Sequence, residues 1–115
     1  MAVTKKIKSK KMKPSIAINP KTQVKEIKKY LKYLNHVLVM TVHPGFGGQS
    51  FCEAELKKVK QLRKLKPSLN IEVDGGIKIG SARKAKRAGA NYLVSGSGIF
   101  NYDDAKKAIS RLKND

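Results

Sequence analysis

The sequence predicts an α/β chain of four βα units whose strands run parallel. Three observations carry that prediction. Val37 to Val42 is an unbroken β-branched and aliphatic run that stops at Pro44 and opens into a turn holding Gly45, Gly47 and Gly48. Three further short β-type segments lie on either side of it, each ending in a turn signal. Between the segments, apolar residues recur at helical spacing. Alternation at a period of about thirty residues or a little less gives parallel strands joined by right-handed helical crossovers.

Taken in order, Met1 to Lys13 holds six lysines (Lys5, Lys6, Lys8, Lys10, Lys11 and Lys13) with Val3, Ile7 and Met12 as its large apolar residues. It reads as a basic tail or the remnant of a helix, with most of it mobile. The folded domain is expected over 14–115. Pro14 to Asn19 forms the first strand, ended by the Asn19-Pro20 turn. Val24, Ile27, Leu31 and Leu34 then mark an amphipathic helix of about three turns. Val37 to Val42 follows as a strand buried on both faces, since a half-exposed strand would alternate apolar and polar residues. Pro44 cannot continue it, having no N–H for the ladder.

Ser50 and Glu53 fit a capping box, with Ser50 at the N-cap and Glu53 reaching back. That helix buries Leu56, Val59 and Leu62 and stops before Pro67. Leu69 to Asp74 is the third strand, cut off by Gly75-Gly76. A helix over Ser81 to Ala88 buries its alanines at 82, 85 and 88, with Gly89 as a left-handed cap. Tyr92 to Ser95 is the fourth strand, leaving through Gly96-Ser97-Gly98. The last helix, near Asp103 to Lys113, turns Ala105, Ala108, Ile109 and Leu112 to the core, with Asp103 and Asp104 at its positive end.

At 115 residues the chain is one domain at most. No apolar stretch reaches the ~18 residues of a membrane span, and the N-terminus has no signal-peptide core. A single cysteine, Cys52, forms no internal disulfide, and a reducing cytoplasm is the expected location. The formal charge of +18 raises a nucleic-acid partner, because lysine and arginine neutralise phosphates. Against it, arginine contributes only Arg63, Arg83, Arg87 and Arg111, whereas bidentate phosphate contacts favour arginine. The lysines lie along every expected helix as solvated outer faces, and no nucleic-acid-binding motif is present. Nucleic acid is therefore not the expected partner.

Four βα units are half of a (β/α)₈ barrel. The alternative is a small open doubly wound sheet. In both, the glycine turns after the second, third and fourth strands fall at one carboxyl edge. Such turns either hold an anion with free backbone N–H groups or serve as tight connections without a ligand.

The motifs PGFGGQ, EVDGGI and SGSGIF, with INPKT at Ile18 to Thr22, are together similar to the ribulose-phosphate 3-epimerase family. The resemblance runs from about Ile7 to the C-terminus and covers only the second half of that family's barrel. It implies interconversion of ribulose 5-phosphate and xylulose 5-phosphate by proton transfer at C3 through an enediolate. It implies a divalent metal ion (zinc, iron, manganese or cobalt) as Lewis acid. By motif, Asp74 is the second-half acid and a metal ligand. Gly45, Phe46, Gly47 and Gly48 resemble the loop over the substrate. Gly75, Gly76, Gly96 and Ser97 resemble the phosphate cradle, and Met40 the methionine beneath the enediolate.

The family's other aspartate and its two metal-binding histidines come from early strands and have no counterpart here. His43 reads as a solvated or substrate-rim side chain and His36 as the start of a strand. Cys52 has no base partner in view. A half barrel also leaves two unpaired strand edges and an uncovered inner face, with Val37, Val39, Ile71 and Leu93 expected to lose partners. Self-association, or docking of a complementary half-barrel chain, is the expected remedy.

Overall fold

The computed structural model describes residues 2–42 and 50–115. In chain order these form α1 (Ala2–Ser9), β1 (Ser15–Ile18), α2 (Val24–Ile27), a 3₁₀ segment Lys28–Tyr33 and β2 (His36–Met40). A 3₁₀ turn Glu53–Glu55 leads into α3 (Leu56–Leu65), then β3 (Asn70–Asp74), α4 (Ser81–Ala88), β4 (Tyr92–Val94), α5 (Ser97–Phe100) and α6 (Ala105–Asn114).

The strands form one parallel sheet in the order β1-β2-β3-β4. A doubly wound sheet reverses its strand order at a switch point, and this one does not, so the open-sheet alternative falls away. Sequential parallel strands with intervening helices are the arrangement of a (β/α)₈ barrel, and four such units make half of one.

Strand alternation assigns the two faces. Val37, Val39, Ile71 and Val73 are fully buried and pack with Ile18, Leu31, Leu34, Val59 and Leu62 beneath the helices. Ile16 and Leu93 continue that layer at the edges. The other face carries Ser15 and Ala17, then His36, Leu38 and Met40, then Asn70, Glu72 and Asp74, then Tyr92 and Val94. It is half-buried in the two central strands and exposed in the two outer ones. Two expectations are thereby corrected. The central strand is buried on its helix side only, and it ends at Met40 rather than Val42. Val37, Val39 and Ile71 keep their partners; Leu38, Met40, Glu72 and Asp74 occupy the less covered face.

Met1 to Lys13 holds a helix, α1, on which Thr4 is buried and Val3 exposed. The Asn19-Pro20 turn forms as expected, with the Asn19 side chain accepting from the Lys21 N–H at 3.0 Å and the Thr22 hydroxyl at 3.2 Å. The three-turn helix does not. One α-turn gives way to the 3₁₀ segment, whose spacing of three brings Leu31 and Leu34 to the core together. The Lys66 ammonium donates to the Leu31 and Leu34 carbonyls at 2.9 and 2.6 Å, taking up acceptors that this irregular end leaves.

Ser50 is exposed and does not cap α3. The Cys52 N–H instead donates to the Thr41 carbonyl at 2.6 Å, drawing the chain back to the end of β2 before the helix begins. At the other end of α4, Gly89 takes φ +122°, and a Cβ there would lie 2.9 Å from that of Arg63. Arg63 fills the space: it donates to the Gly89 carbonyl at 2.7 and 3.0 Å, to Pro67 at 2.7 Å and to Leu69 at 2.6 Å. Lys58 is buried against the Glu55 carboxylate and the Asn19 and Pro20 carbonyls. Some of the cationic side chains thus act as carbonyl caps, not as solvated faces. In α6, Ala108 and Leu112 are buried as expected, while Ile109 is 39% exposed.

Candidate functional site

The carboxyl ends of β2, β3 and β4 meet at one edge. Register places Met40 beside Asp74 and Asp74 beside Val94, so the acid stands on the inner face between the methionine and the edge strand. Asp74 is half-buried, and its carboxylate makes no hydrogen bond or ion pair with any described residue. A carboxylate in that position is free to meet a ligand or to exchange a proton.

The turn after Asp74 is built around two left-handed glycines. Gly75 has φ +127° and Gly76 φ +70°, regions that side chains rarely adopt. There is also no room: a Cβ on Gly75 would lie 2.7 Å from the Val42 side chain, and one on Gly76 2.7 Å from the Phe51 backbone. Val42 and Phe51 flank residues 43–49, so the two described ends of that segment seat on the Asp74 turn. Gly45, Phe46, Gly47, Gly48 and His43 lie outside the described residues.

The turn after β4 packs on the turn after β3. The Ser95 hydroxyl donates to the Ile77 carbonyl at 2.6 Å, and a Cβ on Gly98 would strike the same carbonyl. Ser81 ties the β3 turn to α4, donating to the Gly76 carbonyl at 2.7 Å and accepting from the Lys78 N–H at 2.9 Å. Gly96 and Ser97 are exposed, and a Cβ on Gly96 would meet nothing within 4 Å. The two glycine turns within the described residues therefore do share one edge, beside Asp74.

Two arrangements here have little signature in the sequence. Thr41, fully buried at the end of β2, bonds the Asp74 and Gly75 carbonyls. Its only trace is a polar residue inside an apolar run. His36 lies 2.8 Å from the Glu72 carboxylate and its ring centroid is 5.0 Å from that of Tyr92. His36 sits at the opposite end of the strands, roughly 13 Å from the Asp74 level, while Glu72 and Tyr92 lie one step below that level on the same face, roughly 7 Å from it.

That separation bears on metal binding. Among the described residues, no three His, Cys, Asp or Glu side chains lie close enough together to hold a metal ion. Asp74 is a single hard ligand, and Glu72, the next carboxylate along the inner face of β3, is committed to His36. One carboxylate does not fit a resident divalent cation, which requires several ligands in a defined geometry.

The "Ribulose-phosphate 3 epimerase family" model matches residues 1–100. Ribulose-phosphate 3-epimerase of Schizosaccharomyces pombe is 47% identical over 98 residues, covering 85% of this chain and 43% of its own length. The cytoplasmic isoform of Oryza sativa is 46% identical over 110 residues, 93% of this chain and 48% of its own. The Bacillus subtilis enzyme is 42% identical over 112 residues, 93% of this chain and 52% of its own. The chain thus spans about half the length of the curated relatives it matches. A crystal structure of 3-hexulose-6-phosphate synthase superposes with a TM-score of 0.69 at 17% identity, over 97% of this chain and 53% of that one. That likeness supports the fold alone.

Proposed function

The chain belongs to the ribulose-phosphate 3-epimerase family, and from that premise we propose that it supplies the carboxyl-terminal half of an epimerase site. In this reading its substrate is the sugar phosphate of the family, ribulose 5-phosphate or xylulose 5-phosphate. Asp74 delivers a proton to one face of C3 as the enediolate collapses, and takes it back in the reverse direction. Met40, its neighbour in register, packs against the planar intermediate. Gly75, Gly76, Gly96 and Ser97 receive the phosphate, and the open space above Gly96 lets an oxygen approach the backbone closely. Gly45, Phe46, Gly47 and Gly48 are assigned to the covering loop by their motif.

The observation that carries this reading is the half-buried Asp74 carboxylate, without a partner among the described residues and next to two left-handed glycines. Epimerisation also needs a base on the opposite face of C3, which no described residue at this edge supplies. The base comes from a first-half partner, and so do the further ligands that a zinc, iron, manganese or cobalt ion would need beside Asp74. A complementary half-barrel chain, or self-association, covers the inner face. The cytoplasm is the proposed location; cytoplasmic and chloroplastic relatives both match.

Among the described residues no second unpaired carboxylate stands beside Asp74, the neighbouring Glu72 being held by His36, and this favours a second reading, a sugar-phosphate-binding or assembly module without turnover. The purified chain is tested for epimerisation with added divalent metal, beside Asp74→Asn, and for sugar-phosphate binding by calorimetry. The first reading expects binding and at most marginal turnover from the chain alone, with any turnover lost in the variant. Tight binding that survives Asp74→Asn, with no turnover even beside a first-half partner, supports the module instead.

A further inference from the structure

Thr41 is fully buried, and its polar atoms converge on the Asp74 turn. Its hydroxyl lies 2.6 Å from the Gly75 carbonyl oxygen and 3.1 Å from that of Asp74. Its N–H donates to the same Asp74 carbonyl at 2.9 Å, and its own carbonyl accepts the Cys52 N–H at 2.6 Å. A threonine hydroxyl has a single proton to give. Because the Asp74 carbonyl already receives the Thr41 N–H, the shorter contact to Gly75 takes that proton.

The consequence follows from peptide geometry. In a trans peptide the C=O and the following N–H point in opposite directions. Holding the Gly75 carbonyl toward the buried hydroxyl turns the Gly76 N–H the other way, out of the core. That N–H finds no acceptor among the described residues. Gly76 is pinned there at φ +70°, with the Phe51 backbone behind it.

We infer that Thr41 is a positioning residue of this site: through the Gly75 carbonyl it presents the Gly76 N–H as a donor to a phosphate oxygen and fixes the turn that starts at Asp74. The inference rests on the proposed reading of the glycine turn as a phosphate cradle. A purely structural role for Thr41 would change stability without changing affinity in the folded fraction.

The test is an NMR titration of the full ¹⁵N-labelled chain with inorganic phosphate, following the Gly76 amide in wild type, Thr41→Ser and Thr41→Val. Wild type is expected to show a saturable Gly76 shift, and Thr41→Ser, which keeps the hydroxyl, affinity within about twofold of it. Thr41→Val keeps the shape, loses the donor, and is expected to bind about tenfold more weakly, the effect of one lost hydrogen bond. If the valine variant does not fold, Thr41→Cys, a weaker donor of similar volume, is read the same way. Equal affinities and equal Gly76 shifts in wild type and the hydroxyl-less variant overturn the inference and leave the cradle standing. No phosphate-dependent shift of Gly76 in wild type overturns the cradle and the inference with it.

Discussion

At the scale of single residues, the site depends on which side chains lack partners. Asp74 has none among the described residues, so removing its charge should cost the fold little. Asp74→Asn is expected to melt within about 0.5 kcal/mol of wild type, as polar changes away from packed groups do. In any assembly that turns over, the same change should lower kcat at least a hundredfold, the range of a lost general acid. Denaturant melts and steady-state kinetics measure the two effects. Arg63 is the opposite case, because its guanidinium serves the Gly89, Pro67 and Leu69 carbonyls. Arg63→Ala should destabilise by about 2–4 kcal/mol, through lost charge-assisted bonds and carbonyls left unserved. A urea midpoint unchanged in that variant would remove Arg63 from the account.

Between elements, the contact to probe is the cap that α6 lends to α4. The Asp115 carboxylate accepts the Gly80 N–H at 2.7 Å and the Arg83 N–H at 3.1 Å, and meets the Arg83 guanidinium at 3.1 Å. The Gly80 N–H outweighs the opposing effect of burial and, with the lesser help of the Arg83 contacts, holds its pKa below the ordinary carboxylate value. A folded-state pKa that is depressed gives stability above the unfolded value, near pH 4, and loses it as pH falls through the folded one. Asp115→Asn should therefore melt below wild type near neutral pH, with the gap closing in acid. A gap that widens on acidification would contradict this cap.

Periodicity made most elements legible in the sequence, because three of the helices and all four strands carry the apolar spacing their burial requires. The 3₁₀ segment and the failed Ser50 cap were not legible, since both are set by distant partners. Lys66 reaches the Leu31 and Leu34 carbonyls, and the Cys52 N–H is held by Thr41. Face assignment failed for a related reason. Val37-Leu38-Val39-Met40 is apolar on both sides, so only the position of the helices tells outer from inner. At the site, the Asp-Gly-Gly turn was readable from its residues. The Thr41 clamp and the His36–Glu72 pair depend on strand register and were not.

For the whole molecule, the described residues leave both edges of the sheet unpaired and cover only one of its faces. Tyr92 and Val94 on β4 are 48% and 40% exposed, and Phe100 beyond it 76%. Such an edge recruits another strand. The chain alone is therefore expected to elute above its 12.7 kDa monomer mass, or to exchange the amides of β1 and β4 quickly. A monodisperse monomer with slowly exchanging edge strands would contradict that expectation. The charge of +18 opposes close contact of two copies, most strongly at low salt, and so favours a partner of opposite charge over a second copy.

The central claim is that this half barrel carries the acid and the cradle but needs a first half for the base. The most direct measurement is epimerase activity of the chain mixed with the amino-terminal half of the Bacillus subtilis relative, in divalent metal, with complex formation followed by size-exclusion chromatography. The account predicts that activity appears on mixing, is at most marginal in either half alone, and is lost with Asp74→Asn. A complex that forms and stays inactive, or activity indifferent to Asp74, would contradict it.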